Sequence, residues 1–472
     1  MKKLTTTAIV LAAMIGGCGG ENHRADAARR KAVALRPATA TMRPSQENFS
    51  RPVLPELDES SDLPDYLAYA ALNNAGLEAA FNQWKAALER IPQVKALPDP
   101  RFTYGYFIRE VETRVGPQRQ SFAIAQAFPW FGKLALRGDL AAEAANAARK
   151  RYDAAKLRLF LEVKDAWYEY YYLARAIAIA NQNMQLLQHL EGVARSRYKA
   201  AAAAHPDVIR AQVELGKIDD RYRTLLDLRE PLTARLNAAL NRPVDLPIPM
   251  PKQIAAPPVQ LTAQDLLNTL ADSNPELEAM DFEIAARQRD IELAKKEYYP
   301  DFLLGVSIID TGEAAMRDVS DSGQDPVLAS VSVNIPIWRE KYDAGVREAR
   351  LRHQAARRQR TEMANSLSSQ LKMSLYRFRD AERKINLYGS TLVPKAEEAL
   401  RVTESSYRAG TGMFTDLVDA QRILLEFELD YERALANRAQ SLAKLEMLIG
   451  QEIGLQGNPP PGPNVEENAG DE

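Results

Sequence analysis

The chain has 472 residues, 26 % charged and 46 % hydrophobic, and its 61 Lys and Arg against 63 Asp and Glu leave a net charge of −2. Near-neutrality without a clustered basic block excludes nucleic acid as a partner, because phosphate neutralisation needs grouped Lys and Arg; no run of 18 apolar residues follows the N-terminal segment, which excludes a transmembrane helix. One cysteine and four scattered histidines (His23, His189, His205, His353) make no metal site, and no Walker loop, dinucleotide fingerprint or nucleophile elbow occurs, so neither a cofactor nor enzyme chemistry is expected.

Met1, Lys2 and Lys3 precede an apolar stretch from about Ala8 to Ile15, the pattern of an export signal over residues 1–17. The stretch ends in Ile15-Gly16-Gly17-Cys18, which resembles a bacterial lipobox. That resemblance implies that Cys18 becomes the acylated first residue of the mature protein, anchored in lipid by roughly 0.8 kcal/mol per buried methylene. Gly19 in place of aspartate implies sorting to the outer membrane. The Arg-rich run Arg24 to Arg36 contains Asp26, lacks aromatics and reads as part of a solvated tether over residues 18–61.

From there the chain repeats itself, with residues 62–260 and 261–455 carrying the same signposts in the same order. Asn74, Leu77, Pro100 and Phe102 answer to Asn274, Leu277, Pro300 and Phe302 at an offset of 200, and Pro129 answers to Pro336 at 207. Tyr198, Asp207, Ala211, Gln212 and Tyr222 answer to Tyr407, Asp416, Ala420, Gln421 and Tyr431 at 209. The additional residues of the second repeat therefore fall in two places, between Phe102 and Pro129 and between Pro129 and Tyr198.

In the first repeat a helix gives way after Pro100 to alternation (Phe102, Tyr104, Tyr106, Ile108; then Phe122, Ile124, Phe128), which predicts a β-hairpin over 101–128 with a loop at Glu110 to Gln118. A proline-free, alanine- and leucine-rich stretch then predicts one helix over 134–200, roughly 100 Å long at 1.5 Å per residue. Its apolar positions Val163, Ala166, Tyr170, Leu173, Ile177, Ala180, Met184 and Leu187 step three and four, a heptad seam. A return helix over 206–241 supplies Val208, Ala211, Leu215, Ile218, Tyr222 and Leu225 to the same seam, and a Pro-rich linker follows.

The second repeat predicts a hairpin over 301–336, in which Val331, Val333 and Ile335 alternate with Ser330, Ser332 and Asn334, and a loop at Asp310 to Pro326. Helices over 340–409 and 415–450 follow, the latter with the seam Leu417, Ala420, Leu424, Phe427, Tyr431 and Ala434. Residues 456–472 are Pro- and Glu-rich and are expected to be disordered. Aromatic residues flank the hairpins (Trp130, Phe131, Tyr298, Tyr299, Trp338), as at a membrane interface. Four strands cannot close a barrel alone, and open edges in lipid leave backbone groups unsatisfied, so oligomerisation is required to close it.

The two helical turns differ. Ser406-Tyr407-Arg408-Ala409-Gly410 ends in a glycine suited to a left-handed cap before Thr415 or Asp416 starts the next helix. The first repeat has Arg197-Tyr198-Lys199-Ala200-Ala201 instead, with Pro206 forcing a break upstream of itself.

Lipobox, doubled helix–hairpin–helix–helix units, and the pattern Tyr407-Arg408-Ala409-Gly410 followed by Asp416-Leu417-Val418-Asp419-Ala420-Gln421 together resemble the TolC-like outer-membrane efflux family, over about residues 62–452. The resemblance implies a mainly α fold with a membrane β-barrel portion: a homotrimer with four strands per chain in one twelve-stranded barrel, and coiled-coil helices forming a periplasmic tunnel. It further implies passive conduction for a periplasmic adaptor and an inner-membrane pump, with no catalytic site. Residue by residue, it implies that Asp207, Asp416 and Asp419 lie at the periplasmic constriction with Tyr407 among the contacts that keep it closed, and that the adaptor meets the tip residues Tyr198, Ala201, His205, Tyr407, Gly410, Thr411 and Gly412. The same aspartates also suit helix N-termini, where the dipole favours them by about 0.3–1 kcal/mol. The match departs from the family at Ala201, which replaces a tip glycine, and at Gly412, where relatives can carry a basic locking residue. The segment 128–133, FPWFGK, resembles members serving heavy-metal exporters of the resistance-nodulation-division type. The rival reading is a lipid-anchored periplasmic coiled-coil adaptor or structural protein, although adaptors generally have one helical hairpin rather than two.

Overall fold

The computed structural model describes residues 57, 58, 60–254, 259 and 261–453. The signal segment, Cys18, the Arg24–Arg36 run and the tail 456–472 lie outside the described residues. In the first repeat the elements are α1 (Leu63–Asn73), α2 (Ala75–Lys95), β1 (Arg101–Thr113), β2 (Gly116–Phe128), α3 (Lys133–Lys199), α4 (His205–Asp227) and α5 (Arg229–Ala239). The second repeat has α6 (Ala263–Ser273), α7 (Pro275–Lys296), β3 (Phe302–Thr311), β4 (Val327–Val333), α8 (Arg339–Leu387), a π-helical turn (Tyr388–Leu392), α9 (Val393–Ala409) and α10 (Phe414–Ile449).

The duplicated asparagines pin each repeat in the same way. Asn74 Oδ1 accepts the Leu77 N–H at 2.9 Å, capping α2, while its Nδ2 donates to the Ala239 carbonyl at 2.9 Å. Asn274 caps α7 through the Leu277 N–H at 3.0 Å and donates to the Leu448 carbonyl at 2.8 Å. Each amide thus ties a helix start to the end of the return helix, satisfying a free N–H and a free carbonyl together.

Two apolar cores repeat likewise. Leu159, Val163, Trp167 and Tyr170 of α3 pack with Tyr66, Ala70, Leu77, Leu236 and Leu240; Leu367, Leu371, Leu375 and Phe378 of α8 pack with Leu266, Leu270, Leu277, Leu445 and Ile449. The mid-helix offset is 208, one short of the 209 at the tips. The missing residue is the π-helical turn at Tyr388–Leu392, since a π turn accommodates one inserted residue in an otherwise α-helical run. A third core, towards the tips, buries the expected seam: Ala180, Leu187, Val208, Ala211 and Ile218 against Leu417, Ala420 and Leu424, with Met184, Leu215, Tyr222 and Phe427 partly buried beside them.

Two expected helices are interrupted. The segment 206–241 breaks at Leu228 between α4 and α5, because Pro231 has no N–H for the Asp227 carbonyl and its ring crowds that group. The segment 340–409 is broken by the π turn, and Pro394 stands two residues beyond it with the same steric demand on residue 390.

The four strands among the described residues form one antiparallel sheet in the order β1-β2-β3-β4. Opposed residues share a face, so one face carries the rows Tyr104, Phe122, Ile308, Val327 and Phe102, Ile124, Val306, Ala329. The other carries Thr103, Ala123, Ser307, Leu328 and Ala125, Gly305, Ser330. The first hairpin is tighter than expected, since Glu110–Thr113 and Gly116–Gln118 are strand and only Arg114 and Val115 turn. The second keeps a long loop from Gly312 to Pro326, which carries the larger insertion of the second repeat. Among the described residues the outer edges of β1 and β4 have no strand partner, and every residue of β4 is exposed. Among the described residues no helix is long and apolar enough to cross a membrane.

Candidate functional site

The two helical turns lie at one end of the third core, and their backbones solve the same problem with different residues. Gly410 caps α9 at φ +85°, and the N–H groups of Thr411 and Gly412 donate to the Ser406 carbonyl at 3.0 and 3.1 Å. A Cβ on Gly412 would sit 3.0 Å from the Ser406 Cβ, so this glycine is set by close packing of the turn. Ala201 takes the equivalent left-handed position at φ +55°, with Ala202 N–H donating to the Arg197 carbonyl at 2.8 Å.

Tyr407 is 2 % exposed, and its hydroxyl donates to Asp207 Oδ2 at 3.3 Å, joining the end of α9 to the first turn of α4. The Arg197 guanidinium covers its ring at 4.6 Å and Phe414 abuts it at 5.2 Å. Burial first, and the Asp207 charge second, push the phenol up to about 12, so it stays a neutral donor. Tyr407 therefore supports the tip from within and presents almost no surface of its own. Its counterpart Tyr198 is 46 % exposed and lies 5.1 Å from the His205 ring. Ala201, His205, Gly410 and Thr411 are exposed and Gly412 is half-buried.

Of the expected constriction residues, the chain brings Asp207 and Tyr407 together. Asp416 and Asp419 are exposed on the first turns of α10, and Asp419 accepts from Arg422 Nη1 at 3.3 Å. Arg422 leads to a contact that sequence reasoning missed: it also pairs with the buried Glu214 of α4, to which Lys217 Nζ donates at 2.9 Å. The hydrogen bond from Arg422, reinforced by Lys217, holds the Glu214 carboxyl below its ordinary range. A signal existed, because Glu214 stands three residues after Ala211 and four before Ile218, on the apolar stripe. A further cross-repeat group joins His189 of α3 to Arg408 of α9 at 2.6 Å and to Glu404 at 3.5 Å.

At the opposite end, the aromatic residues form stacks. Trp130 lies 5.2 Å from Tyr299 and 5.6 Å from Phe302, nearly parallel to both, and 5.7 Å from Phe131. Tyr298 packs on Tyr342 at 5.5 Å and bonds Asp343, while Phe131 and Trp338 are largely exposed. Beneath the stack lies the last residue of the FPWFGK segment. Lys133 is 1 % exposed and donates to Asp301 Oδ1 at 2.9 Å and to the Tyr299 carbonyl at 3.3 Å. The Trp130 N–H reaches the same Asp301 oxygen at 2.7 Å. This lysine locks the start of α3 to the start of β3, a role the sequence alone did not suggest.

Residues 266–451 match the family model described as outer membrane efflux protein. Nodulation protein T of Rhizobium leguminosarum bv. trifolii is 22 % identical over 414 residues, covering 82 % of this chain and 85 % of that protein. The cobalt-zinc-cadmium resistance protein CzcC of Cupriavidus metallidurans is 21 % identical over 391 residues, covering 82 % and 89 %. Among solved structures, the outer-membrane channel OprN superposes with a TM-score of 0.70 at 17 % identity, over 84 % of this chain and 94 % of that one. The four-stranded sheet and long paired helices thus have the fold of an outer-membrane channel such as OprN, and residues 266–451 match the outer membrane efflux protein family.

Proposed function

We propose that three copies surround one axis, each adding β1 to the neighbour's β4, to give a twelve-stranded barrel in the outer membrane and a tunnel of helices in the periplasm. The protein is an outer-membrane efflux channel, and in this reading it conducts passively what a periplasmic adaptor and an inner-membrane pump deliver to its tips. The observation that carries the reading is the sheet: one face carries the apolar rows, and neither outer edge has a strand partner among the described residues. Such edges cost several kcal/mol per unsatisfied group in hydrocarbon, and closure removes them.

Around a threefold axis Asp207, Asp416 and Asp419 would give nine carboxylates at a narrow mouth, a field that favours cations. The exposed residues Ala201, His205, Gly410 and Thr411 are the surface offered to the adaptor. FPWFGK and the likeness to CzcC favour a pump of the resistance-nodulation-division type and heavy-metal cargo. Acyl chains on Cys18 would add a lipid anchor beside the barrel.

Native mass spectrometry of the detergent-extracted protein tests the assembly. A mass of three chains with acyl adducts is expected, whereas a monomer freed from membranes by removing the acyl chains would support a tethered adaptor instead. Single-channel recording in planar bilayers tests the mouth: Asp416→Ala with Asp419→Ala should raise conductance and weaken cation preference, and no change in either would remove both residues from the constriction.

A further inference from the structure

The repeat offset allows contacts within the chain to be carried forward by one step. In a ring of duplicated chains, a contact from the first repeat to the second is followed by a pseudo-equivalent contact from the second repeat to the first repeat of the next copy, a head-to-tail interface that closes when the rotation closes. This step rests on the trimeric reading above.

Three contacts at the tips translate into complementary pairs. Tyr407 bonding Asp207 becomes Tyr198 facing Asp416, both exposed in the single chain. The pair of Glu214 with Arg422 becomes Ile423 with Val213, and these two apolar side chains are 45 % and 51 % exposed. His189 against Glu404 and Arg408 becomes Glu398 against Arg195 and Lys199, an acid facing two bases, all three exposed. Nearer the barrel, Lys150 with Glu278 becomes Arg358 with Glu78, again opposite charges on exposed positions. At mid-height the translation yields no complement: Tyr171 and Arg175 with Glu432 become Arg379 and Arg383 with Arg223. There Arg383 and Arg223 are neutralised on their own helices by Asp380 and Asp219.

We propose that neighbouring copies are joined at their tips by Val213 with Ile423, Tyr198 with Asp416, and Glu398 with Arg195 and Lys199. The seam between chains is then apolar at the level where the seam within a chain is ionic. The exposed apolar side chains of Val213 and Ile423 gain a partner, and the partner is a second copy of this chain.

The test is disulfide trapping of the full-length acylated protein in detergent. Val213→Cys combined with Ile423→Cys should give covalent trimer on oxidation, and neither single variant should. Wild-type protein that is trimeric by native mass spectrometry while the double variant shows no covalent dimer or trimer would overturn the pairing and leave the ring intact. Absence of a trimer in the wild-type spectrum would remove the ring itself. Charge exchange gives a readout independent of cysteine geometry: Glu398→Lys should lower the temperature of trimer dissociation, and adding Arg195→Glu and Lys199→Glu should restore it. Failure of the triple variant to recover any of the loss would count against the pairing.

Discussion

Tyr407 and Asp207 are joined by a neutral donor and a carboxylate across two repeats, a bond of the kind worth about 1.5–3 kcal/mol when one partner is charged. Tyr407→Phe keeps the packing against Phe414 and Arg197 and removes only the hydroxyl. We expect it to raise single-channel conductance. It should also flatten the alkaline limb of stability. Burial holds the folded phenol's proton to about 12, against 10.0 for an ordinary tyrosine, so its contribution is whole below pH 10 and is lost as pH rises to about 12. Comparing melting temperatures of the variant and the parent across that range checks it, and parallel curves would show that Tyr407 adds nothing there. Ala201 offers a backbone counterpart. A left-handed alanine costs about 1–2 kcal/mol relative to glycine, partly offset by the freer unfolded chain that glycine brings. Ala201→Gly should therefore raise the melting temperature and Gly410→Ala should lower it. At the helical end of the sheet, Lys133→Met should cost about 1.5–3 kcal/mol, the worth of hydrogen bonds to a charged group, read as a lower denaturant midpoint.

The repeats break at different elements. The first keeps α3 whole over 67 residues and divides its return path at Leu228; the second keeps α10 whole over 36 and inserts a π turn into its descending path. If the π turn holds one inserted residue, removing Ser390 together with Pro394→Ala should leave both flanking helices in register. Pro394 has to go as well, because in a regular helix it would cost about 3 kcal/mol. Deleting Ser366 instead rotates the whole remainder of α8 by about 100° and should dismantle the core around Phe378. Circular dichroism melting separates the two: a single cooperative transition near the parent's for the first, and loss of cooperativity for the second. The lengths and seams of these helices were legible because apolar spacing and Pro206 left few alternatives. The interruptions were signalled only by Pro231 and Pro394, whose effect is local and silent to periodicity. Glu214 with Arg422 and Lys133 with Asp301 were invisible for another reason. Long charged helices carry many such residues, and only three-dimensional placement shows which become buried.

At the scale of the whole molecule, the two faces of the sheet make opposite demands on the same strand. Val331 lies in the row Gln126, Leu304, Val331 on the apolar face, while Ser330 lies beside Gly305 and Ala125 on the face of small residues. In a barrel closed by three copies the apolar face meets hydrocarbon and the other lines the lumen. An arginine on a lipid-facing strand costs about 2–4 kcal/mol at the bilayer midplane, and one on a lumen-facing position is solvated and changes selectivity instead. Val331→Arg should therefore reduce the yield of membrane-inserted trimer, and what inserts should conduct as the parent does. Ser330→Arg should insert normally and shift conductance and ion preference. The two positions are adjacent, on an edge strand whose seven residues are all exposed in the single chain, so burial within one chain cannot separate them. Only a closed barrel can, and equal behaviour of the two variants in insertion and in conductance would mean that β4 does not sit in one.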